Sequence, residues 1–185
     1  MISPLIDRRK TPSLSRNKER ANVSDRPKRA ALIGVDMVSG TFADALGGLP
    51  VKLTGALGAR EGSGAAFLQR HGLQGRAYGS VAEIAGDDAV DFVILTTPPD
   101  ARFEIVKALA AAGKPLLMEK PIERGLNAAR RICDIYDAAD LPLGIVLQHR
   151  ASDPAQELLR RQGEFGDLRV VEISVPWWRD QSYYD

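Results

Sequence analysis

Short apolar runs alternate with stretches of helical periodicity between residues 29 and 149. The apolar runs predict strands at residues 30–33, 51–57, 76–78, 92–96, 115–119 and 143–148, of which 76–78 is the weakest. The periodic stretches predict helices at residues 37–46, 63–71, 81–85, 101–112 and 126–139. Strands and helices in alternation predict an α/β fold, a doubly wound parallel sheet with helices on both faces.

Two of the predicted helices carry recognisable end signals. Ser80 is followed three residues later by Glu83, which is the spacing of a capping box and predicts a helix start. Gly113 follows the fourth helix and predicts its end, because glycine readily takes the left-handed conformation.

The pattern changes after the sixth predicted strand. Asp153 can cap a helix with Pro154 at its first position. Residues 168–175 then alternate apolar and polar side chains, which predicts a half-buried strand of an antiparallel sheet. Residues 29–149 are therefore predicted to form one domain, and residues 150–185 the incomplete start of a truncated α+β domain.

Charge separates the N-terminal segment from the rest. Residues 1–30 hold nine Lys or Arg and three Asp or Glu, although the whole chain has 25 basic and 24 acidic side chains. Residues 1–28 have few large apolar side chains, so we expect a disordered basic tail. The tail has no aromatic side chains on which bases could stack, and nucleic-acid binding is not expected.

Composition excludes several other classes of protein. One cysteine, Cys133, and two histidines cannot form an internal disulfide or a Cys/His zinc cluster. No apolar run approaches the roughly 18 residues that span a bilayer. We therefore expect a cytoplasmic protein with no metal and no membrane segment.

The turn after the first strand is the first candidate site, since ligands of doubly wound sheets bind beyond the carboxyl ends of the strands. A dinucleotide fingerprint reads G-x-G-x-x-G, and only its first glycine, Gly34, is present here. Asp36 occupies the second glycine position, where its carboxylate would repel a pyrophosphate or cap the N–H of Val38 or Ser39. Gly34, Asp36, Met37 and Val38 are candidate cofactor-binding residues of a weakened site; an ordinary helix cap is the alternative for Asp36.

Arg60 lies just beyond the second strand, where an acidic residue would accept bonds from the ribose of NAD. A guanidinium at this point suits a 2′-phosphate, so the prediction is NAD(P) with a preference for NADP. A solvated loop arginine is the alternative.

Two further strand ends carry candidate chemistry. Thr97 and Pro98 follow the fourth strand, and Glu119 and Lys120 follow the fifth. A lysine whose amine is desolvated, or faces a cationic nicotinamide, can act as a base near neutral pH. Lys120 is the predicted catalytic residue, and a surface pair with Glu119 is the alternative.

Five stretches of this chain resemble the Gfo/Idh/MocA family of oxidoreductases, named after glucose-fructose oxidoreductase and inositol dehydrogenase. They are ALIG with MVSGT in residues 31–41, TPP at 97–99, AGKPLLMEKPI at 112–122, LQHR at 147–150 and VPWWRD at 175–180. The Glu-Lys-Pro after the fifth strand is the most specific element of this resemblance.

The resemblance implies an N-terminal Rossmann domain that binds NAD(P), and oxidoreductase activity on a sugar, polyol or similar small carbonyl or alcohol. It implies that Lys120 binds a substrate hydroxyl and assists proton transfer, and that Glu119 and Pro98 lie along the cofactor. Trp178 and Arg179 resemble a pair that reaches the nicotinamide in some members; ordinary packing is the alternative for the tryptophan.

The chain also departs from the family pattern. Asp36 replaces a glycine of the fingerprint, and Phe42 stands where histidine is common. No residue matches the catalytic histidine that members place in the second domain. The prediction is therefore a truncated oxidoreductase, with a non-catalytic, nucleotide-binding fragment of weakened affinity as the alternative. A homo-oligomer is expected only if the second domain is complete.

Overall fold

The computed structural model describes residues 26–36 and 38–183, in which strands and helices alternate. The strands are β1 Lys28–Ile33, β2 Val51–Leu57, β3 Arg76–Ala77, β4 Phe92–Leu95, β5 Leu116–Glu119 and β6 Leu143–Val146. The α-helices are α1 Ser39–Leu46, α2 Ser63–Arg70, α3 Val81–Ala85, α4 Arg102–Ala111, α5 Leu126–Ala138 and α6 Asp153–Arg160. Each of the six strands predicted in residues 29–149 is present, with ends that differ by one or two residues.

The six strands form one sheet in the order β3-β2-β1-β4-β5-β6. β1 is parallel to β2 on one side and to β4 on the other, with Ala31 opposite both Gly55 and Val93. The chain thus winds outward from β1 in one direction and from β4 in the other. This order confirms the doubly wound α/β fold, and it creates a crevice at the carboxyl ends of β1 and β4.

Successive residues of the central strands point to opposite faces of the sheet, and each face has its own apolar cluster. Val93 and Leu95 of β4 pack with buried residues of α4 and α5, including Leu109 and Ile132. Ile94 lies in the other cluster with Leu32 of β1 and the buried residues of α1 and α2, Ala43 and Phe67. The near-continuous apolar strands of the sequence are explained by this burial on both faces.

Both predicted helix-end signals are formed in the structure. The Glu83 N–H donates a hydrogen bond of 3.2 Å to the Ser80 hydroxyl at the start of α3. Gly113 has a φ of +70°, and the next N–H, of Lys114, donates to the Leu109 carbonyl at 2.9 Å. At α6 the prediction is wrong by one position, because Ser152 is the N-cap residue and Asp153 already lies in the helix.

The first strand and its contacts include residues that were predicted to belong to the basic tail. β1 starts at Lys28, and the Arg26 guanidinium donates hydrogen bonds of 2.6 and 2.9 Å to the Asp91 carboxylate. The Arg29 N–H donates to the same carboxylate at 2.7 Å. These contacts correct the tail boundary at residue 28, and residues 1–25 of the predicted tail lie outside the described part of the chain.

Acid should destabilise the protein through Asp91. The hydrogen bond from Arg26 lowers the pKa of Asp91 from 3.8 to about 2. Burial acts in the opposite direction, but its effect on the pKa is smaller. A carboxylate with a depressed folded-state pKa stabilises the fold above its unfolded pKa, so this contribution disappears as pH falls from about 4 to about 2. We expect Asp91→Asn to flatten the pH dependence of urea unfolding in that window. Asp88→Asn, at an exposed neighbouring position, is the control. An equally flattened pH dependence in Asp88→Asn would contradict the assignment of the effect to Asp91.

The structure divides into two compact units, one ending at Ile145 and the other beginning at Val146. The second unit contains α6 and a long segment without regular structure. The strand predicted at residues 168–175 is absent from it, and Val171 and Ile173 are exposed. The prediction was wrong because alternation records which face a strand would bury, whereas a strand also needs a neighbour for its backbone hydrogen bonds.

Candidate functional site

The carboxyl ends of β1, β2 and β4 surround a cavity of about 310 Å³. Gly34 and Asp36 line it from the turn after β1, Gly58 from the end of β2, and Thr97 and Pro98 from the loop after β4. The other lining residues are Ile33, Leu57, Ala59, Gly79, Ser80, Val81, Ala101 and Ile105. The cavity lies at the point where the strand order reverses, which is the usual ligand site of a doubly wound sheet.

Gly34 allows the turn after β1 to approach the end of β4. It is buried with a φ of +97°, and a Cβ at this position would lie 2.7 Å from Thr96 Oγ1 and 2.8 Å from the Thr97 nitrogen. The Thr96 hydroxyl instead donates a hydrogen bond of 2.9 Å to the Gly34 carbonyl. Only glycine fits both this conformation and this contact.

Asp36 does not cap α1 with its side chain. The Ser39 N–H donates at 3.2 Å to the Asp36 backbone carbonyl, and the Ser39 hydroxyl donates to the same oxygen. The alternative interpretation of Asp36, a side-chain cap on the N–H of Val38 or Ser39, is therefore not formed: α1 has no side-chain cap hydrogen bond among the described residues, and the Asp36 carbonyl accepts from Ser39. The carboxylate is exposed at the cavity lining. Val38 is the exposed N-cap residue of α1, and Met37 lies outside the described residues.

A second cavity, of about 520 Å³, adjoins the first at the end of β2. Leu57, Gly58, Ala59 and Gly79 line both cavities. Arg60 lines only the second, where its backbone carbonyl accepts a 3.1 Å hydrogen bond from the first N–H of α2. Its guanidinium forms no ion pair with the described residues, and the acidic neighbour Glu61 also lines this second cavity.

Glu119 and Lys120 lie at the end of β5. Glu119 is buried and its carboxylate accepts a 2.9 Å hydrogen bond from the Lys120 N–H. The Lys120 side chain is exposed. One buried arginine, Arg102, donates hydrogen bonds to the Thr97 and Glu119 carbonyls and so joins this loop to the loop after β4. The described residues contain no group of three or more potential metal ligands of the His, Cys, Asp and Glu types.

Trp178 and Arg179 belong to the second unit and are described only within it. Trp178 is 78% exposed, and its carbonyl accepts a 3.3 Å hydrogen bond from Arg179. The Arg179 guanidinium lies 5.1 Å from the ring centroid of Trp177. A cofactor-binding role for this pair remains a prediction.

A family model described as an oxidoreductase family with an NAD-binding Rossmann fold matches residues 28–145, which is more than half of the chain. This chain belongs to the Gfo/Idh/MocA family. The resemblance predicted from the sequence motifs is thereby confirmed, together with the Rossmann fold of the first unit. No helix within the described residues has the length and apolar character needed to cross a membrane.

Three relatives illustrate the range of the Gfo/Idh/MocA family. Human trans-1,2-dihydrobenzene-1,2-diol dehydrogenase is 34% identical over 150 residues, covering 77% of this chain and 44% of that protein. Inositol 2-dehydrogenase of Rhizobium meliloti is 26% identical, covering 83% of this chain and 46% of the relative. The crystal structure of WlbA dehydrogenase from Chromobacterium violaceum, with NADH and UDP-GlcNAcA, has 26% identity and a TM-score of 0.68; it covers 77% of this chain and 41% of its own. The chain thus spans less than half the length of each.

The residues around the cavity fit a nicotinamide dinucleotide with one exception. Gly34, Gly58 and Gly79 line the cavity without side chains, and Thr97 lines it beside them. The second cavity shares lining residues with this one and is lined by Arg60. The exception is Asp36, whose exposed carboxylate places a negative charge on the lining.

Several site residues were missed by reasoning from the sequence. Gly58, Gly79 and Ser80 line the main cavity, although Ser80 was recognised only as a helix cap. A cap that directly follows a parallel strand lies at the carboxyl edge of the sheet, and this signal could have placed Ser80 in the site. Arg102 gave no comparable signal, because a helical arginine usually points to solvent.

Proposed function

We propose that the protein is an NAD(P)-dependent oxidoreductase that acts on a sugar, a polyol or a similar small alcohol or carbonyl compound. The observation that carries the proposal is the cavity at the sheet's reversal point, which Gly34 lines from the turn after β1 and Thr97 and Pro98 line from the loop after β4. The dinucleotide, when bound, supplies hydride transfer between its nicotinamide and a carbinol or carbonyl carbon.

The residues of the loops after β4 and β5 have different roles in the proposed reaction. Thr97 hydrogen-bonds the cofactor, and Pro98 and Glu119 border its nicotinamide end. Lys120 binds the substrate hydroxyl and moves the proton that leaves or joins that oxygen, as a positioned general acid or base. Trp178 and Arg179 remain candidates for the nicotinamide side. The names of two relatives, a dihydrodiol dehydrogenase and an inositol dehydrogenase, support a hydroxylated small molecule as substrate.

Turnover by the full chain tests this proposal. We expect the protein to oxidise NADPH or NADH in the presence of at least one member of a panel of keto-sugars, inosose and diketones. The oxidation is measured as the loss of absorbance of the reduced nicotinamide. Cofactor binding without turnover across the panel would favour the alternative, a nucleotide-binding protein without catalysis. Absence of cofactor binding would contradict both.

Arg60 should set the preference between the two dinucleotides. Arg60 lines the second cavity, and a 2′-phosphate is a better partner for its guanidinium than a ribose hydroxyl. We expect Arg60→Ala to weaken NADPH binding about tenfold and to leave NADH binding within about twofold, as measured by calorimetry. Arg70→Ala, on the last turn of α2, is the control. Equal losses for both dinucleotides would refute the assignment to the 2′-phosphate.

Asp36 should limit cofactor affinity. Its exposed carboxylate lines the cavity, where it repels a pyrophosphate. We expect Asp36→Gly to tighten NADPH binding about tenfold, and Asp36→Asn to give a smaller gain, because asparagine removes only the charge. Asp44→Asn, an exposed position on α1, serves as the control. Unchanged affinity in both Asp36 variants would exclude charge repulsion as the defect.

A cytoplasmic location is part of the proposal. Cys133 is free and half-buried on α5. Burial raises the pKa of its thiol, which keeps it in the unreactive protonated form. A reducing compartment suits a protein of this kind.

A further inference from the structure

Arg102, at the start of α4, is the most deeply buried charged side chain that the structure describes, with 2% of its surface exposed. A buried guanidinium is costly unless its N–H groups find acceptors. Burial lowers the pKa of Arg102, while the carboxylates of Glu119 and Glu123 act in the opposite direction. Arginine nevertheless stays protonated in proteins, so a positive charge lies beneath the rim of the site.

All described acceptors of Arg102 are backbone carbonyls of two loops. Its Nε donates at 2.8 Å to the Thr97 carbonyl, in the loop after β4. Its Nη1 donates to the Glu119 carbonyl at 2.5 Å and to the Pro121 carbonyl, both at the end of β5. One planar group thus reaches both sides of the residue between them, Lys120.

These contacts continue where the sheet stops. The register of β4 and β5 ends with Leu95 opposite Met118, and no ladder bond joins the strands beyond that pair among the described residues. Thr97 and Glu119 lie beyond it and are held together through the guanidinium. Beyond the last ladder pair, the described contact that bridges the two segments is therefore this side chain.

We propose that Arg102 is a positioning residue: it fixes the loop that carries Thr97 and Pro98 against the loop that carries Lys120. These two loops carry the candidate cofactor contacts and the candidate catalytic amine. Arg102 touches neither cofactor nor substrate in this proposal and acts through the two loops. The expected effect of Arg102 on NADPH affinity rests on the proposed function, whereas its expected effect on the opening of the two loops does not.

Lys114 provides a matched control. It is also buried, at 8% exposure, and its amine donates to two backbone carbonyls, Asp87 at 2.8 Å and Val90 at 3.1 Å. It lies before β5, at the opposite end of that strand from Lys120. A general loss of stability should follow from either substitution, but only Arg102 should affect the site loops.

The experiment compares the full chain with Arg102→Lys, Arg102→Ala and Lys114→Met. Urea unfolding measures stability, fluorescence titration measures NADPH affinity, and hydrogen exchange followed by mass spectrometry measures opening of residues 96–101 and 119–124. Arg102→Lys is the mild variant that keeps the charge but cannot present a planar fork to three carbonyls. Arg102→Ala is also titrated with millimolar ethylguanidinium to replace the missing group.

We expect both Arg102 variants to bind NADPH at least about tenfold more weakly, and both loop segments to exchange at least about tenfold faster. Lys114→Met should change either quantity by less than about twofold, and ethylguanidinium should restore part of the Arg102→Ala affinity. Unchanged loop exchange in Arg102→Lys, or equal loop opening in Lys114→Met, would overturn the positioning role. If the unsubstituted chain does not bind NADPH or NADH, the proposed function falls, and loop exchange alone decides the role of Arg102.

Discussion

Gly34→Ala should destabilise the protein by about 2–5 kcal/mol and remove measurable NADPH binding. The φ of +97° is strained for any residue with a side chain. The new Cβ would also lie 2.8 Å from the Thr97 nitrogen, and this contact can be relieved only by moving backbone. Such a shift separates the turn after β1 from the loop after β4, and these two segments form the cavity. Urea unfolding and fluorescence titration measure the two effects.

Gly48→Ala is the matched control for this substitution. Gly48 has no positive φ, and a Cβ there would meet no atom within 4 Å. Alanine at this position should change stability by less than about 1 kcal/mol and leave NADPH affinity unaltered. A Gly34→Ala protein that remained as stable as the control and bound NADPH normally would show that the close approach is unnecessary.

Lys120→Met should reduce turnover at least about a hundredfold while changing NADPH affinity less than about threefold. Methionine keeps the length of the side chain but cannot bind a hydroxyl or move a proton. The exposed position of Lys120 means that little packing is lost, so stability should be unaffected. Steady-state kinetics with the substrate found in the panel, together with NADPH titration, separates the two quantities.

Lys107→Met provides the comparison for Lys120, since Lys107 is an exposed lysine on α4 that pairs with Glu104 at 3.0 Å. It should retain full turnover. A Lys120→Met protein with unreduced turnover would remove the lysine from the proposed reaction. A parallel loss of affinity and turnover would instead make Lys120 a cofactor-binding residue.

The first unit was largely predictable because its central strands are buried on both faces and its helices are amphipathic or capped. The apolar run at residues 92–96 predicted β4 without knowledge of its neighbours, since burial on both faces requires it to be apolar throughout. The alternating run at 168–175 gave an equally clear signal and formed no strand. Periodicity reports the face that a segment would bury but not whether a partner strand is present.

The site was predictable only where a residue directly follows a strand. Gly34, Thr97 and Pro98 were placed at the cavity for that reason, because parallel strands bring their carboxyl ends to one edge. The absence of a capping hydrogen bond from the Asp36 side chain was not predictable, since the backbone carbonyl of Asp36 accepts from the Ser39 N–H instead. The role of Arg102 was not predictable either, because its acceptors are carbonyls 5 to 19 residues away in sequence and no local sequence pattern indicates such contacts.

Titration of the isotope-labelled protein with NADPH, followed by backbone amide NMR, tests most directly whether the dinucleotide binds along the joined cavities. We predict saturable shifts at Gly34, Gly58 and Thr97, with a separate response at Arg60 that NADH does not reproduce. Absence of saturable shifts, or shifts confined to the groove formed by Ala43, Leu46 and Leu73 at the amino end of β2, would contradict cofactor binding at this site.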